Sequence, residues 1–341
     1  MVFLRRIVFI AILAAITGSL GSCRKSSSAE EVVVYCSVDQ AVAEPIIARF
    51  EKQTGIKVLT RFDTEASKTV GLVQKIRAEK DNPHADVFWS SEIFYTIHLD
   101  REGLLKPFES ETVKNWPTTF MDQEKQWYAL ALRGRVIAYN TNKVPEDESP
   151  SCLEDVLDEK WKNRVVMARP QFGTTGGDIA SWFALYGREK TEEILRGLKA
   201  NGVRIVDGNS TAVRMVATGQ ADVCFTDTDD VYAAKRNGWP VEMKMLRRAD
   251  KGTLTIPNTA AMIKGGPHPQ NAKILMDFLL GGQVEKMLLQ SDSHNWPVVP
   301  ENHTDIEMYN EYKIPEPLKI DYTLVADNLE YALQNAGEIL D

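Results

Sequence analysis

The sequence predicts an α/β protein of two lobes with a ligand cleft between them. Three observations carry this. A strand–helix–strand–helix–strand rhythm occupies residues 32–89, and the same rhythm restarts over residues 164–225. Two strand-like segments, 127–131 and 253–257, stand where the chain would pass from one unit to the other and back. Alternation of this kind implies parallel strands with helices on both faces.

In chain order, Val32–Tyr35 is a short β-branched run and reads as a strand. Val42, Ile46, Ile47 and Phe50 recur at helical spacing, and Gly55 is placed to end that helix. Residues 56–62 read as a strand, Leu72, Val73 and Ile76 mark a second helix, and 85–89 form a third strand. In the second unit, residues 164–167, 203–206 and 221–225 read as strands. Residues 178–186, 191–198 and 211–218 read as helices. No Gly/Pro-rich linker separates the units. The chain therefore crosses between them on strands, which places residues 31–132 and 253–300 in lobe 1 and residues 133–252 in lobe 2. Residues 301–341 remain as a helical tail packing on both. In open α/β sheets the cleft at the carboxyl ends of the strands is where ligands bind.

The 341 residues, 43% of them hydrophobic, suffice for two cores. A formal charge of −8 argues against nucleic acid as a partner. The N-terminus reads as an export signal over residues 1–22. Arg5 and Arg6 precede the apolar run Ile7–Ile16, which is too short to span a bilayer. Leu20-Gly21-Ser22-Cys23 resembles a lipobox, with Cys23 lipidated and residues 23–30 a tether. The alternative is an ordinary cleaved signal with an incidental cysteine. Removal of the signal leaves 38 basic and 48 acidic residues, a charge of −10. Three cysteines remain, Cys36, Cys152 and Cys224, an odd number that argues against a disulfide framework.

The stretch Cys224–Lys235, CFTDTDDVYAAK, crowds three aspartates where an apolar strand turns into a helix. Asp229 and Asp230 are the candidate cation ligands. Helix capping by Thr228 or Asp229 competes with that role, and a place in the first turn suits Asp230 equally well. Asp227 reads as a loop or capping residue. Tyr232, one turn on, offers a phenol, or packs as an ordinary helix residue.

The stretches 33–58 (VVYCSVDQAVAEPIIARFEKQTGIKV), 78–92 (AEKDNPHADVFWSSE), 103–110, 135–141, 219–230 and 257–280 resemble, in order, the substrate-binding components of ABC importers, specifically the ferric-iron-binding branch. The resemblance implies the two-lobed periplasmic-binding-protein fold (type II-like), closing like a clamshell on its cargo. It implies delivery to a membrane permease and its ATPase, residence in the periplasm or cell envelope on a lipid anchor, and a monomer. It also implies Fe3+ as cargo, held with a synergistic anion, and no catalytic cofactor. Similar proteins use two adjacent tyrosines, a histidine and a glutamate. Here the tyrosine pair falls on Asp229 and Asp230, the histidine on Asp39, and the glutamate near Glu92. Carboxylate and phenolate are both hard oxygen donors suited to hard cations. Because carboxylates ionise near pH 4, these aspartates are expected to be ready ligands with no proton to displace. Carboxylate cages also suit Ca2+, Mg2+ and Mn2+.

The second constellation is Gly173–Asp178, GTTGGD, a loop opening a helix. Exposed N–H groups at a helix start favour an anion. Thr174, Thr175 and Gly176 are the expected anion contacts, the alternative being a tight turn with an N-cap. Of Arg133 and Arg135, one is expected to face the cleft and the other solvent. His294 stands as a spare ligand or a loop histidine. No nucleophile elbow, metal-protease helix or phosphate-loop spacing GxxxxGK[ST] occurs, so a binding protein is expected rather than an enzyme. The remaining alternative is the same binding role for a small organic or phosphorylated solute.

Overall fold

A computed structural model describes residues 30–64, 67–171, 173–248, 252–299 and 307–340. The expected export signal, Cys23 and most of the tether lie outside them. The first half runs β1 (Glu31–Cys36), α1 (Gln40–Thr54), β2 (Lys57–Phe62), α2 (Val70–Ala78), β3 (Val87–Ser90), α3 (Phe94–Arg101), β4 (Leu105–Lys106) and β5 (Trp127–Asn140). The second half runs α4 (Leu153–Val156), β6 (Val165–Ala168), α5 (Thr174–Ala200), β7 (Arg204–Val206), α6 (Asn209–Ala217), β8 (Val223–Asp227), α7 (Thr228–Arg236) and β9 (Val241–Met245). The chain then returns through β10 (Thr255–Ile263) and ends in α8 (Pro269–Leu279), α9 (Gly282–Gln290), α10 (Glu307–Glu311) and α11 (Tyr322–Leu340). No helix among the described residues is long and apolar enough to cross a membrane.

The strand order is β2-β1-β3-β10-β5-β8-β6-β7. The β2-β1-β3 and β8-β6-β7 groups are parallel, as the alternation requires. The strands between them are antiparallel, so the sheet is mixed. β5 explains the junction. Its residues 127–134 pair with β10, and Arg135–Tyr139 pair with β8. One fully buried strand thus belongs to both halves, and the switch falls at Gly134 and Arg135. The register of β10 against β5 slips between Asn258 and Thr259.

The helices expected over 178–186 and 191–198 are one element, α5, kinked at Gly187, whose φ of 77° and ψ of 176° interrupt the helix. Three apolar clusters hold the layers. One lies on the outer side of the first half around Phe50, Trp89 and Leu275, and another on the outer side of the second around Val213 and Val231. The third is continuous across both halves, from Phe94 and Ile97 through Trp182 and Phe225 to α11. The terminal helix packs on α5 and on α3, so it touches both lobes.

A carboxylate nest at converging helix ends

Four helices begin at one face of the junction. Asp39 stands at the N-terminus of α1, Thr174 opens α5, Asn209 opens α6, and Asp227 precedes α7. Helix N-termini carry unsatisfied N–H groups and partial positive charge, so carboxylates placed there are stabilised. The local sequence explains the last case. β8 is apolar up to Phe225, and Asp229 and Asp230 fall in the first turn of α7 beyond it. Asp227 occupies the N-cap position, but no side-chain capping bond forms. Its carboxylate points inward instead.

Asp227, Asp229 and Asp230 each offer an oxygen within 4.8 Å of the others. Asp227 is fully buried. Its Oδ1 accepts from Arg135 Nη1 at 2.7 Å, and its Oδ2 accepts from the Thr174 hydroxyl and from Asn209 Nδ2 at 3.1 Å. Asp229 Oδ2 accepts from Arg133 Nη1 at 2.6 Å, while Asp229 Oδ1 is buried with no partner. Asp230 Oδ2 accepts from the Thr226 hydroxyl at 2.8 Å.

Charge follows from this geometry. Burial pushes the Asp227 carboxyl up, but Arg135 and Arg133 outweigh it and hold it below the usual carboxylate range. For Asp229, burial wins over the pull of Arg133, and the carboxyl is raised. Asp230 is pushed well above the ordinary value by burial and by the charges of Asp229 and Asp227. Burial thus opposes the expectation that both ligands stand ready without a proton to displace, most strongly at Asp230. Like charges packed this tightly favour a shared proton until a cation arrives.

The arginines differ from expectation as well. Neither faces solvent. Arg133 is 6% and Arg135 0% exposed, because both sit on one face of β5 with Gly134 between them. Arg133 faces the cleft and also donates to the Ser91 carbonyl. Arg135 turns inward to Asp227 and, at 3.1 Å, to Asp178. Asp178 in turn holds Arg248 and accepts from Trp182 Nε1 at 3.2 Å.

Glu92 and Asp39 do not join the three carboxylates. Glu92 is buried and caps α3, accepting from the Phe94 N–H at 2.7 Å and the Tyr95 N–H at 3.3 Å. Burial raises its carboxyl to about 7 against those bonds. Asp39 is more than half exposed and pairs with Lys68 Nζ at 2.5 Å. Tyr232 stands edge-on to His294 and Tyr312, ring centroids 5.1 and 4.8 Å away, and packs rather than ligates. His294 stacks on Tyr312 at 4.0 Å.

The expected anion loop is the first turn of α5. The Thr174 hydroxyl is spent on Asp227, and Thr175 donates to Asn209 Oδ1 at 3.3 Å. The glycines serve close packing. A Cβ at Gly176 would lie 2.5 Å from the Pro170 carbonyl, and one at Gly177 would lie 2.0 Å from the Phe94 ring. First-turn N–H groups still lack partners within the helix. Gly173 and Thr174 line a cavity of about 30 Å³ with Lys68, Arg133, Asp227 and Asp230. That is room for an ion or a water. A wider groove of about 260 Å³ opens on the other side of Asp229 and Asp230, rimmed by Asp39, Val42 and Trp239.

Sequence reasoning missed Lys68 and misjudged Asp227. The signal for Asp227 was the last alternating position of a buried strand, which points its side chain into the junction.

Comparison with known proteins places this geometry. Residues 32–291 match the bacterial extracellular solute-binding protein family. The chain is 27% identical to iron uptake protein A1 of Synechocystis sp., covering 99% of this chain and 98% of that protein. It is 27% identical to the major ferric iron-binding protein of Neisseria meningitidis, covering 76% and 78%. Iron-bound HitA from Pseudomonas aeruginosa superposes with a TM-score of 0.80 at 26% identity, over 91% of this chain and 99% of that one. With a match that runs over residues 32–291, well over half of the chain, the protein belongs to the bacterial extracellular solute-binding proteins.

Proposed function

We propose that this chain is the cargo-binding component of an ABC importer and that its cargo is a metal cation, ferric iron, closed between the lobes with a small anion. It hands the ion to a permease driven by an ATPase. The protein acts as a monomer without enzymatic activity, held at the cell envelope by a lipid on Cys23. The jaws are residues 31–132 with 253–300 and residues 133–252. Asp229 and Asp230 are the principal ligands, joined by Asp227. Arg133, the N–H groups of Thr174, Thr175 and Gly176, or both, receive the anion.

The observation that carries this reading is the orphaned Oδ1 of Asp229, buried among three carboxylates. A buried, unpaired carboxylate oxygen costs free energy unless a cation or proton satisfies it. Size agrees, since organic ligands occupy pockets of roughly 300–1,000 Å³ and the cavity between Asp227, Asp230 and Lys68 is about 30 Å³. The relatives named for iron support the choice of metal.

Calorimetry with ferric nitrilotriacetate tests it. Asp229→Asn with Asp230→Asn is expected to abolish binding, and unchanged affinity excludes the metal assignment. The groove beside Trp239 favours a second reading, a small organic solute bearing an ammonium group. A relative from Salmonella typhimurium, 24% identical, is named as a putative 2-aminoethylphosphonate-binding protein. Native mass spectrometry of protein purified without chelator separates the two, since an organic adduct and an iron adduct differ in mass.

A further inference from the structure

Lys68 is held in an unusual way. The next residue, Thr69, has φ of 69°, a left-handed conformation that a β-branched residue adopts only when its surroundings impose it. The surroundings are visible. Thr69 is fully buried, and its hydroxyl bonds to Ser37 Oγ at 3.2 Å and Ser91 Oγ at 3.4 Å. This turn aims Lys68 across the cleft rather than out to water, and its side chain is only 17% exposed.

The ammonium pairs with Asp39 of its own lobe at 2.5 Å and lines both small cavities of the junction. It shares the first of those cavities with Asp230 and the second with Asp229, both on the opposite lobe. Arg133 sits on the crossing strand, so Lys68 is the cation that bridges from one jaw to the carboxylates of the other. An ammonium and a metal cation compete for the same negative field.

We propose that Lys68 is a tethered counter-cation. In the cargo-free protein its ammonium takes the cargo's place between Asp39 and the Asp229–Asp230 pair, and loading expels it. This rests on the cation reading above. Expulsion costs a desolvated ion pair whichever ion enters. Lys68 therefore lowers the affinity for every cargo cation by a similar factor.

The test is calorimetry with ferric nitrilotriacetate and with Mn2+, on wild type, Lys68→Met, Lys68→Arg and Asp229→Asn. Lys68→Met is expected to bind both ions tighter, by about tenfold each. Lys68→Arg restores the wild-type values, which a merely structural role does not predict. Scattering from cargo-free Lys68→Met is expected to show a larger radius of gyration, since the jaws lose their bridge. A wild type that binds iron beside a Lys68→Met protein that binds no tighter overturns the counter-cation role alone. A wild type that binds neither ion, or an Asp229→Asn protein that binds as well, overturns the cation reading and the competitor role with it.

Discussion

Arg135→Met probes the charge balance under the nest. Arg135 is fully buried, with Nη1 2.7 Å from Asp227 and Nε 3.1 Å from Asp178. Asp178 keeps Arg248 when Arg135 is removed. Asp227 keeps only Arg133, 4.0 Å away and already committed to Asp229. Breaking a buried pair at one partner costs about 3–5 kcal/mol. Protonation sets a ceiling, because neutralising a carboxyl of ordinary pKa at pH 7 costs about 4 kcal/mol. The sign with pH follows. In the wild type the Asp227 carboxyl lies below its unfolded value, so its contribution is present above that value and lost as pH falls. In the variant the same carboxyl rises above the unfolded value, and stability is lost as pH rises. The destabilisation is therefore expected to be about 4 kcal/mol at pH 7 and about 1.5 kcal/mol at pH 5. Urea unfolding followed by tryptophan fluorescence at the two pH values measures it. Arg135→Met with Asp227→Leu removes both charges and is expected to regain most of the loss. A single variant that costs under about 1 kcal/mol at both pH values would show that Asp227 is not held by Arg135.

Two further outcomes follow from buried contacts. The Glu92 carboxyl is raised to about 7, so its contribution is present below the ordinary value and lost as pH climbs through 7. Glu92→Gln keeps an acceptor for the Phe94 N–H and has no charge to bury. It is expected to escape about 3 kcal/mol of destabilisation between pH 4.5 and 7.5, and parallel stability–pH curves for the two proteins would refute this. Gly177→Ala puts a methyl within 2.0 Å of the Phe94 ring, at the seam between α5 and α3. Overpacking of this kind costs about 1–3 kcal/mol and is expected to fall on closure, weakening cargo affinity about tenfold. Unchanged affinity would mean that the seam yields elsewhere.

Much of the fold was legible because burial leaves a periodic trace. The apolar runs at 32–35, 85–89 and 221–225 and the helical spacing of Val42, Ile46 and Phe50 all survive in the structure. The crossing strand was recognisable at Trp127–Ala131 but runs on to Asn140. Its second half is as apolar as the first, and only the change of partner at Arg135 marks the junction. Chain periodicity carries no record of which neighbour a strand pairs with. Of the candidate site, the sequence pointed to Asp229 and Asp230, which lie beside Asp227, and to Arg133 and Thr174, which line the same cavity. Glu92 has the right residue type near the right place, yet its carboxylate turns to the start of α3, two residues on. One of Arg133 and Arg135 reads as a surface charge, yet Arg135 is buried too, and the acids that pair with it, Asp178 and Asp227, lie 43 and 92 positions away. The glycines at 176 and 177 read as an anion loop, and their tight packing against Pro170 and Phe94 left no mark in their own spacing.

The charge balance of the nest bears on what cargo it takes. Asp39, Asp227, Asp229 and Asp230 face Lys68, Arg133 and Arg135, while Asp178 and Arg248 offset each other. With Lys68 in place and all four carboxylates ionised, the nest is one charge short of neutral. With Lys68 expelled it is two short, which a divalent ion cancels. A trivalent ion overshoots by one, and the partial positive charge at the start of α5 adds to the excess. Neutrality then requires one small anion, and the unpaired N–H groups of that helix, beside Arg133, are where it is best received. Phenolates would supply the same charge only by giving up protons held near pH 10, whereas carboxylates ionise far lower, with burial working against ionisation at Asp229 and Asp230. On this reasoning the aspartate pair and the bridging lysine form one device. Acids strong enough to be charged in the open cleft need an internal cation to close without cargo, and Lys68 is placed to be that cation.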